Sequence, residues 1–157
     1  MMYGTRKKHW KGLLSCLLVF VMALAVFPVM ASAEETTVDT WDGTADTTWY
    51  NDTDTGFRIT TAEQLAGLAA IVNDGNTMEG KTILLENDLD LAGSEWTSIG
   101  NGNNVVRYFG GVFDGQGYDV YNLTSLESST YYHGLFGVLS QNGTVQNLNV
   151  IDANIKA

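Results

Sequence analysis

Residues 109–151 read FGGVFDGQGYDVYNLTSLESSTYYHGLFGVLSQNGTVQNLNVI, and one short phrase occurs twice within them. The phrase VYNLT at Val120–Thr124 returns 25 positions later as VQNLN at Val145–Asn149, and each copy follows a glycine-containing turn. A period in the twenties that carries one strand and one turn is typical of a solenoid, in which successive coils stack strand upon strand. The stretch therefore predicts a mainly-β solenoid.

The repeat also predicts which side chains stack. If the coils align as the two phrases do, Asn122 lies against Asn147 and Leu123 lies against Leu148. Side-chain amides stacked at the strand spacing bond to one another, so a polar ladder would run beside an apolar row. Leu123 breaks the alternation of the first phrase, which predicts that the chain bends at Asn122 and that Leu123 turns inward.

The N-terminal segment, residues 1–33, is predicted to be a secretory signal peptide that is not part of the fold. Basic residues from Arg6 to Lys11 precede an apolar run over residues 13–30, and Ala31–Ala33 supplies a small-x-small cleavage site. A retained transmembrane anchor is the alternative, because the run is nearly long enough to cross a bilayer. We expect cleavage after Ala33 and a secreted, extracellular or cell-wall-associated protein that meets the membrane only through its signal peptide.

Removal of the leader leaves an acidic chain without cysteine. Four basic side chains then face 18 acidic ones, a formal net charge of −14, and the only cysteine, Cys16, lies in the leader. A secreted chain without cysteine has no disulfides and must close its own core. The acidic excess argues against nucleic acid and anionic membranes as partners and favours solubility outside the cell.

Residues 34–50 are predicted to be a linker or lead-in, and residues 51–157 to form the solenoid domain. Trp41, Trp49 and Tyr50 are large aromatic residues in this polar lead-in, and we expect them to cover the open end of the core. A carbohydrate-stacking platform is the alternative role for these three side chains.

One N-terminal α-helix is predicted to cap the first coil. Thr60 with Glu63 three positions later forms a capping box, and Gly75 ends the helix in the left-handed conformation. Apolar residues follow at helical spacing between these ends: Leu65, Leu68, Ala69 and Val72. Short strands are expected at residues 57–59, 82–85 and 96–99.

Several motifs of the chain belong together. Gly134-Leu135-Phe136-Gly137 comes after a segment with the pattern F-x-G-x-F-D-G-x-G at Phe109–Gly117, and Trp41-Asp42-Gly43 lies near the start of the mature chain. Together these motifs resemble the GLUG repeat of bacterial secreted and surface adhesin-like proteins. The resemblance implies a right-handed parallel β-helix with a structural or adhesive role. Since one full motif is found, we expect the N-terminal part of a larger protein, with a domain incomplete at its C-terminus.

A polysaccharide-active enzyme is the main alternative function. Parallel β-helices also house lyases and hydrolases that use paired carboxylates, and the candidates are Asp88, Asp90, Asp114 and Asp119, with Arg107 as the nearby basic residue. His133 is the only histidine of the mature chain, so it has no histidine or cysteine partner for a metal and is predicted to be a loop residue. No catalytic, cofactor-binding or metal-binding residue is assigned.

Two binding alternatives stay open. Asp52 and Asp54 have the spacing of calcium-loop ligands, with Glu63 at the position of a bidentate ligand, but Gly56 and Phe57 break the pattern. A glycan-binding module would use Trp96, Tyr131 and Tyr132. The expected partner is a glycan or a protein of the host or cell surface.

Overall fold

A single helix and nine short strands follow one another in the computed structural model, which describes residues 40–101, 105–126 and 132–156. The bounds, in chain order, are β1 Gly56–Ile59, α1 Ala62–Asp74, β2 Thr82–Leu85, β3 Leu89–Asp90, β4 Val112–Asp114, β5 Asp119–Tyr121, β6 Thr124–Ser125, β7 Thr144–Gln146, β8 Asn149–Ile151 and β9 Asn154–Ile155. The predicted signal peptide lies outside the described residues.

The strands form three sheets in which every neighbouring pair is parallel. The sheet orders are β1-β2-β4-β7, β3-β5-β8 and β6-β9. Parallel neighbours need a long crossover, because the chain must return to the end at which the first strand began. The expectation of a mainly-β fold with one helix is confirmed for the described residues.

The repeated phrase does not set the strand register. Val120 lies opposite Val150, and Phe113 lies opposite Val145, so both pairs are separated by more chain than the repeat contains. Asn147 therefore lies at a different corner from Asn122, and the predicted stacking of the two asparagines and of the two leucines that follow them is wrong.

What the two phrases share is local conformation. Asn122 has φ 57° and Asn147 has φ 51°, the left-handed region that asparagine tolerates better than most residues. Each asparagine directly follows a strand and turns the chain. The predicted bend at Asn122 is confirmed, and Leu123 after it is buried.

The core is a stack of apolar side chains from successive strands. Phe57, Ile83 and Phe113 lie opposite one another along the first sheet, and all are buried. Leu89 and Val120 do the same in the second sheet. Burial of each such side chain contributes about 1.5–3 kcal/mol of transfer free energy.

The helix packs its apolar face into this core. Its buried residues include Leu65, Leu68 and Val72, as the helical spacing predicted. The N-cap is Thr61, whose Oγ1 accepts from the N–H of Gln64, so the predicted cap at Thr60 is wrong by one position. The helix ends as predicted, with Gly75 in the left-handed conformation at φ 117°. Within the described residues, no helix has the length and apolarity needed to cross a bilayer.

Part of the predicted lead-in belongs to the packed structure. Trp41 is buried, Trp49 and Tyr50 pack against the core, and the N–H of Asp46 donates to the carbonyl of Glu63 at 2.8 Å. The aromatic side chains cover the core beside α1, as expected. The domain boundary after residue 50 stays a prediction.

Candidate functional site: a row of carboxylates and amides

The four carboxylates considered for catalysis lie at the ends of neighbouring strands. Asp88 precedes β3 and Asp90 ends it, Asp114 ends β4, and Asp119 begins β5. The Asp88 carboxylate accepts a hydrogen bond from the backbone N–H of Asp119 at 2.9 Å. The strand register thus brings side chains that are distant in the sequence into neighbouring positions.

Three of these carboxylates accept a hydrogen bond from an asparagine of the following strand or corner. We call these three pairs the carboxylate–amide row: Asn122 Nδ2 to Asp90 Oδ1 at 2.8 Å, Asn147 Nδ2 to Asp114 Oδ1 at 3.0 Å, and Asn149 Nδ2 to Asp119 Oδ1 at 2.7 Å. Gln146 adds a bond to the second oxygen of Asp114 at 2.8 Å. Hydrogen bonds to a charged acceptor are stronger than neutral ones, so the row ties successive strands together.

Hydrogen bonds in the row favour the ionised form of two carboxylates, Asp114 and Asp119. Hydrogen bonds from the backbone N–H of Gln116 and the amides of Gln146 and Asn147 lower the pKa of Asp114 below its ordinary value. Hydrogen bonds from Asn149 and Tyr121 lower the pKa of Asp119 in the same way. A general acid at neutral pH needs the opposite shift, a raised pKa. The geometry therefore suits hydrogen bonding between strands and not acid catalysis.

A shallow depression of about 630 Å³ lies over the part of the row that contains the Asp114–Asn147 pair. Its lining residues are Asp114, Gln116, Gly117, Asn147, Leu148 and Asn149. Carboxylate and amide groups of this kind can hydrogen-bond to a polar ligand such as a sugar hydroxyl. The Asp114 oxygens, however, already accept bonds from three protein donors.

The turn considered as a calcium loop is organised around a lysine. The Lys81 ammonium donates to the carbonyls of Asp52 at 3.1 Å and Asp54 at 2.7 Å, and it lies 5.4 Å from the ring centre of Tyr50. The positive charge of Lys81 thus occupies the place beside these carbonyls. No three acidic, histidine or cysteine side chains gather in a metal-binding group anywhere in the described part of the chain.

The tryptophan considered for glycan stacking is not accessible. Trp96 is 3% exposed, its indole N–H donates to the carbonyl of Leu135 at 3.2 Å, and its ring centre lies 5.5 Å from that of Trp41. The prediction of a platform at Trp96 is wrong, because the side chain belongs to the core. Trp41 is 4% exposed and is excluded from that role for the same reason. Tyr132 is partly exposed, and Tyr131 lies outside the described residues.

The two remaining candidates, His133 and Arg107, make their contacts elsewhere in the molecule. His133 lies in a loop, as predicted, with Nδ1 3.3 Å from the hydroxyl oxygen of Ser125. The Arg107 guanidinium lies at the C-terminal end of α1, where a Cβ added to Gly75 would be 2.8 Å from its Nη1. A cation is favourable at that end of a helix dipole. Arg107 is therefore placed with the helix and not with the paired carboxylates.

The motif Gly134–Gly137 lies directly beside residues 98–100. Ile99 N–H donates to the carbonyl of Leu135, and Gly137 N–H donates to the carbonyl of Ile99, each at 3.0 Å. Only this isolated bridge, between Ile99 and Phe136, forms where a strand was predicted at residues 96–99.

A buried serine completes this contact, and sequence reasoning missed it. Ser98 is 5% exposed, and its hydroxyl donates to the carbonyl of Gly134 at 2.7 Å. Asn73, at the end of α1, bonds to the carbonyl of Ser98 and accepts from the N–H of Gly100, each at 3.0 Å. The sequence carried one indication of this role, because Ser98 is a small polar residue directly before the apolar residue Ile99.

Comparison with known proteins gives one partial similarity. No family model and no solved structure matches the chain. Halomucin from Haloquadratum walsbyi (strain DSM 16790 / HBSQ001) is 31% identical over 121 residues, which is 73% of this chain and 1% of halomucin. The chain thus spans about one hundredth of the length of that protein.

Proposed function

We propose that the processed chain is a secreted or cell-surface module that forms a right-handed parallel β-helix and has a structural or adhesive role. The observation that carries this proposal is the carboxylate–amide row. Its acidic side chains, which are the candidates for chemistry, are used for hydrogen bonds from one strand to the next. Side chains used in this way stabilise a stack of strands and leave the carboxylates little capacity for a reaction.

The strand pairing supports the stacked architecture. All three sheets are parallel, and the register places Ile83 beside Phe113 and Phe113 beside Val145, at similar separations along the chain. A chain that returns to each of three sheets in turn builds coils of similar length. Each coil then contacts mainly its neighbours, as in other repeat proteins.

We also propose that the module is a GLUG-type repeat. The contact of Gly134–Gly137 with residues 98–100 supports this. Gly137 on one segment and Gly100 on the other have no side chain, so the two backbone segments can approach closely. A Cβ added to Gly137 would lie 2.3 Å from the carbonyl oxygen of Gly100. A motif with glycine at this position would therefore recur wherever two coils make the same contact.

The setting that we propose is outside the cell. The leader has the charge and apolar pattern of a signal peptide, and the partial similarity to halomucin fits a surface or secreted location. The module would be the N-terminal part of a larger protein, with a glycan or a surface protein as its partner. A reporter fused after residue 50 should be exported and should begin at Glu34. A reporter that stays in the membrane with its leader attached would contradict this location.

A polysaccharide assay separates the structural role from the enzymatic one. We expect the processed chain to release no reducing ends and no unsaturated sugars from a panel of neutral and acidic polysaccharides, with or without calcium. Asp114→Asn should lower the melting temperature, because the amide accepts less strongly than the carboxylate. Sugar release that is abolished by Asp114→Asn at an unchanged melting temperature would overturn the structural proposal.

A further inference from the structure

Three segments of the chain have an asparagine followed two positions later by a threonine, with no proline between them. They are Asn51–Thr53, Asn122–Thr124 and Asn142–Thr144. This pattern is the acceptor sequence for N-linked glycosylation of secreted proteins, and the attached glycan is bulky and must stand in solvent. The surroundings of each asparagine therefore show which of the three can carry a glycan.

The side chains of the first pattern are held within their own turn. The Asn51 side-chain oxygen accepts hydrogen bonds from the N–H of Thr53 at 3.0 Å and from the hydroxyl of Thr53 at 2.8 Å. The Asn51 amide nitrogen, which would carry the glycan, donates to the Asp54 carboxylate at 2.8 Å. A sugar on that nitrogen would stand where the turn closes on itself.

The second pattern lies inside the stack of strands. The Asn122 amide donates to the Asp90 carboxylate at 2.8 Å, as part of the carboxylate–amide row. Leu123, the middle residue of the pattern, is 1% exposed, and the carbonyl of Thr124 accepts from the N–H of Trp96 at 2.7 Å. A glycan at Asn122 would therefore disturb both the row and the core.

The third pattern is free of such contacts. Asn142 lies in a turn that the N–H of Gly143 closes by donating to the carbonyl of Ser140 at 3.1 Å, and both Asn142 and Thr144 are exposed. The Asn142 amide and the Thr144 hydroxyl make no hydrogen bond to any part of the chain that the structure describes. Both groups that define the acceptor pattern are thus presented to solvent.

The exposure of this turn comes from the length of its corner. The corner before β7, residues 140–143, stacks on the corner before β4, residues 110–111, because the residue pairs on either side are in register. Its two end residues stay at the stack: Ser140 N–H donates to the carbonyl of Phe109 at 2.9 Å, and a Cβ added to Gly143 would lie 2.3 Å from the same oxygen. The two middle residues are additional to the shorter corner and therefore loop out from the line of stacked corners.

We infer that Asn142 is a site of N-linked glycosylation. The inference rests on the location outside the cell in the proposed function and adds a covalent modification. The donor is a glycan carried on a polyprenyl diphosphate, and a membrane-bound transferase brings the two together. Asn142 Nδ2 forms a bond to the anomeric carbon of the first sugar, and the bond from that carbon to the phosphate oxygen breaks. The polyprenyl diphosphate leaves with the electron pair, and one proton of the amide passes to a base of the transferase.

Mass spectrometry of the chain isolated from the cells that produce it tests this inference. The peptide that contains Asn142 should carry the mass of one or more sugars on that residue, whereas Asn51 and Asn122 should be unmodified. Thr144→Val, which keeps the branched shape without the hydroxyl, should abolish the modification, and Thr144→Ser should retain it because serine also completes the pattern. The matched control is Thr53→Ala, which removes the first pattern and should leave Asn142 modified.

Three results would overturn the inference: an unmodified Asn142 in the exported chain, a glycan that persists in Thr144→Val, or equal modification of Asn122. If Thr144→Val is not recovered from the cells, Thr144→Ala must lose the glycan instead. The same spectra show whether the chain begins at Glu34. A processed chain with an unmodified Asn142 would refute the glycan and leave the proposed location standing, whereas a chain that stays in the membrane with its leader attached would contradict both.

Discussion

Replacing Gly137 by alanine tests the contact between the Gly134–Gly137 motif and residues 98–100. The added Cβ would lie 2.3 Å from the carbonyl oxygen of Gly100 and 3.1 Å from the Cβ atoms of Ser98 and Tyr132. Gly137 is not among the residues with positive φ, so alanine meets no dihedral penalty there. The effect of the substitution is therefore steric.

The magnitude follows from the movement that alanine would force. The carbonyl oxygen belongs to the backbone, so the two segments must separate by about 1 Å to reach ordinary contact distance, and the 3.0 Å bond from Gly137 N–H to Ile99 lengthens. Overpacking of this kind costs about 1–3 kcal/mol, and loss of the hydrogen bond adds about 0.5–1.5 kcal/mol. We expect Gly137→Ala to lower the free energy of unfolding by about 2–4 kcal/mol.

Two further glycines provide matched controls. Gly56 has no atom within 4 Å of an added Cβ and no positive φ, so Gly56→Ala should be neutral or stabilising by about 0.4–1 kcal/mol. Gly117 is equally open but has φ +87°, so Gly117→Ala should cost about 1–2 kcal/mol through the dihedral alone. Urea unfolding followed by far-ultraviolet circular dichroism measures all three. A Gly137→Ala variant as stable as Gly56→Ala would refute the contact.

Three further predictions concern the carboxylate–amide row and the core. Asn149→Ala should lower the melting temperature by a few degrees, because the Asp119 carboxylate loses its interstrand donor, and an unchanged melt would mean that the bond contributes nothing. Hydrogen bonds lower the pKa values of Asp114 and Asp119 in the folded state, so their contribution is complete above the unfolded pKa of about 4 and is lost as the pH falls through the folded pKa values. The urea midpoint should therefore fall below pH 4, and Asp114→Asn should flatten that fall; an equal fall in the variant would argue against the row. Leu123→Ala should cost about 2–5 kcal/mol because the side chain is 1% exposed, whereas Leu126→Ala, at a 40% exposed side chain, should stay within about 0.5 kcal/mol. Equal losses from both leucines would contradict the inward turn at Leu123.

Local structure was predictable from the sequence because local chemistry determines it. The apolar spacing from Leu65 to Val72 and the glycine at position 75 define α1 without reference to the rest of the chain. The bend at Asn122 was predictable for a similar reason, since Leu123 breaks the alternation of the strand. The N-cap was placed one position early because Thr60 and Thr61 are both suitable cap residues.

The strand register was not predictable, because the corners differ in length. The corner between β4 and β5 is longer than the corner between β7 and β8, so the separation of Phe113 from Val145 differs from that of Val120 from Val150. No single repeat length describes such a chain. The repeated phrase indicates a strand followed by an asparagine in the left-handed conformation. This local structure occurs twice, at two corners that do not pair with each other. Consequently Asn122 and Asn147 bond to aspartates at the ends of neighbouring strands, Asp90 of β3 and Asp114 of β4, and not to each other.

The burial of Trp96 was not predictable from the sequence for a related reason. A tryptophan in a polar turn is a reasonable binding residue when only its neighbours in the sequence are visible. Its actual surroundings are Trp41, near the start of the described chain, and the carbonyl of Leu135, far later in the sequence. Contacts of this range follow from the strand register, which the sequence alone did not determine.

Disulfide trapping measures the register most directly, since the processed chain has no cysteine of its own. Val112 and Thr144 lie opposite each other in β4 and β7, and neighbouring strands are about 4.8 Å apart, within the range that a disulfide spans. Val112→Cys with Thr144→Cys should therefore form an intramolecular disulfide on mild oxidation and keep the native circular dichroism. Thr124→Cys with Asn149→Cys, which the repeated phrase would pair, should stay reduced. A disulfide in the second variant and none in the first would contradict the parallel stacking in this register.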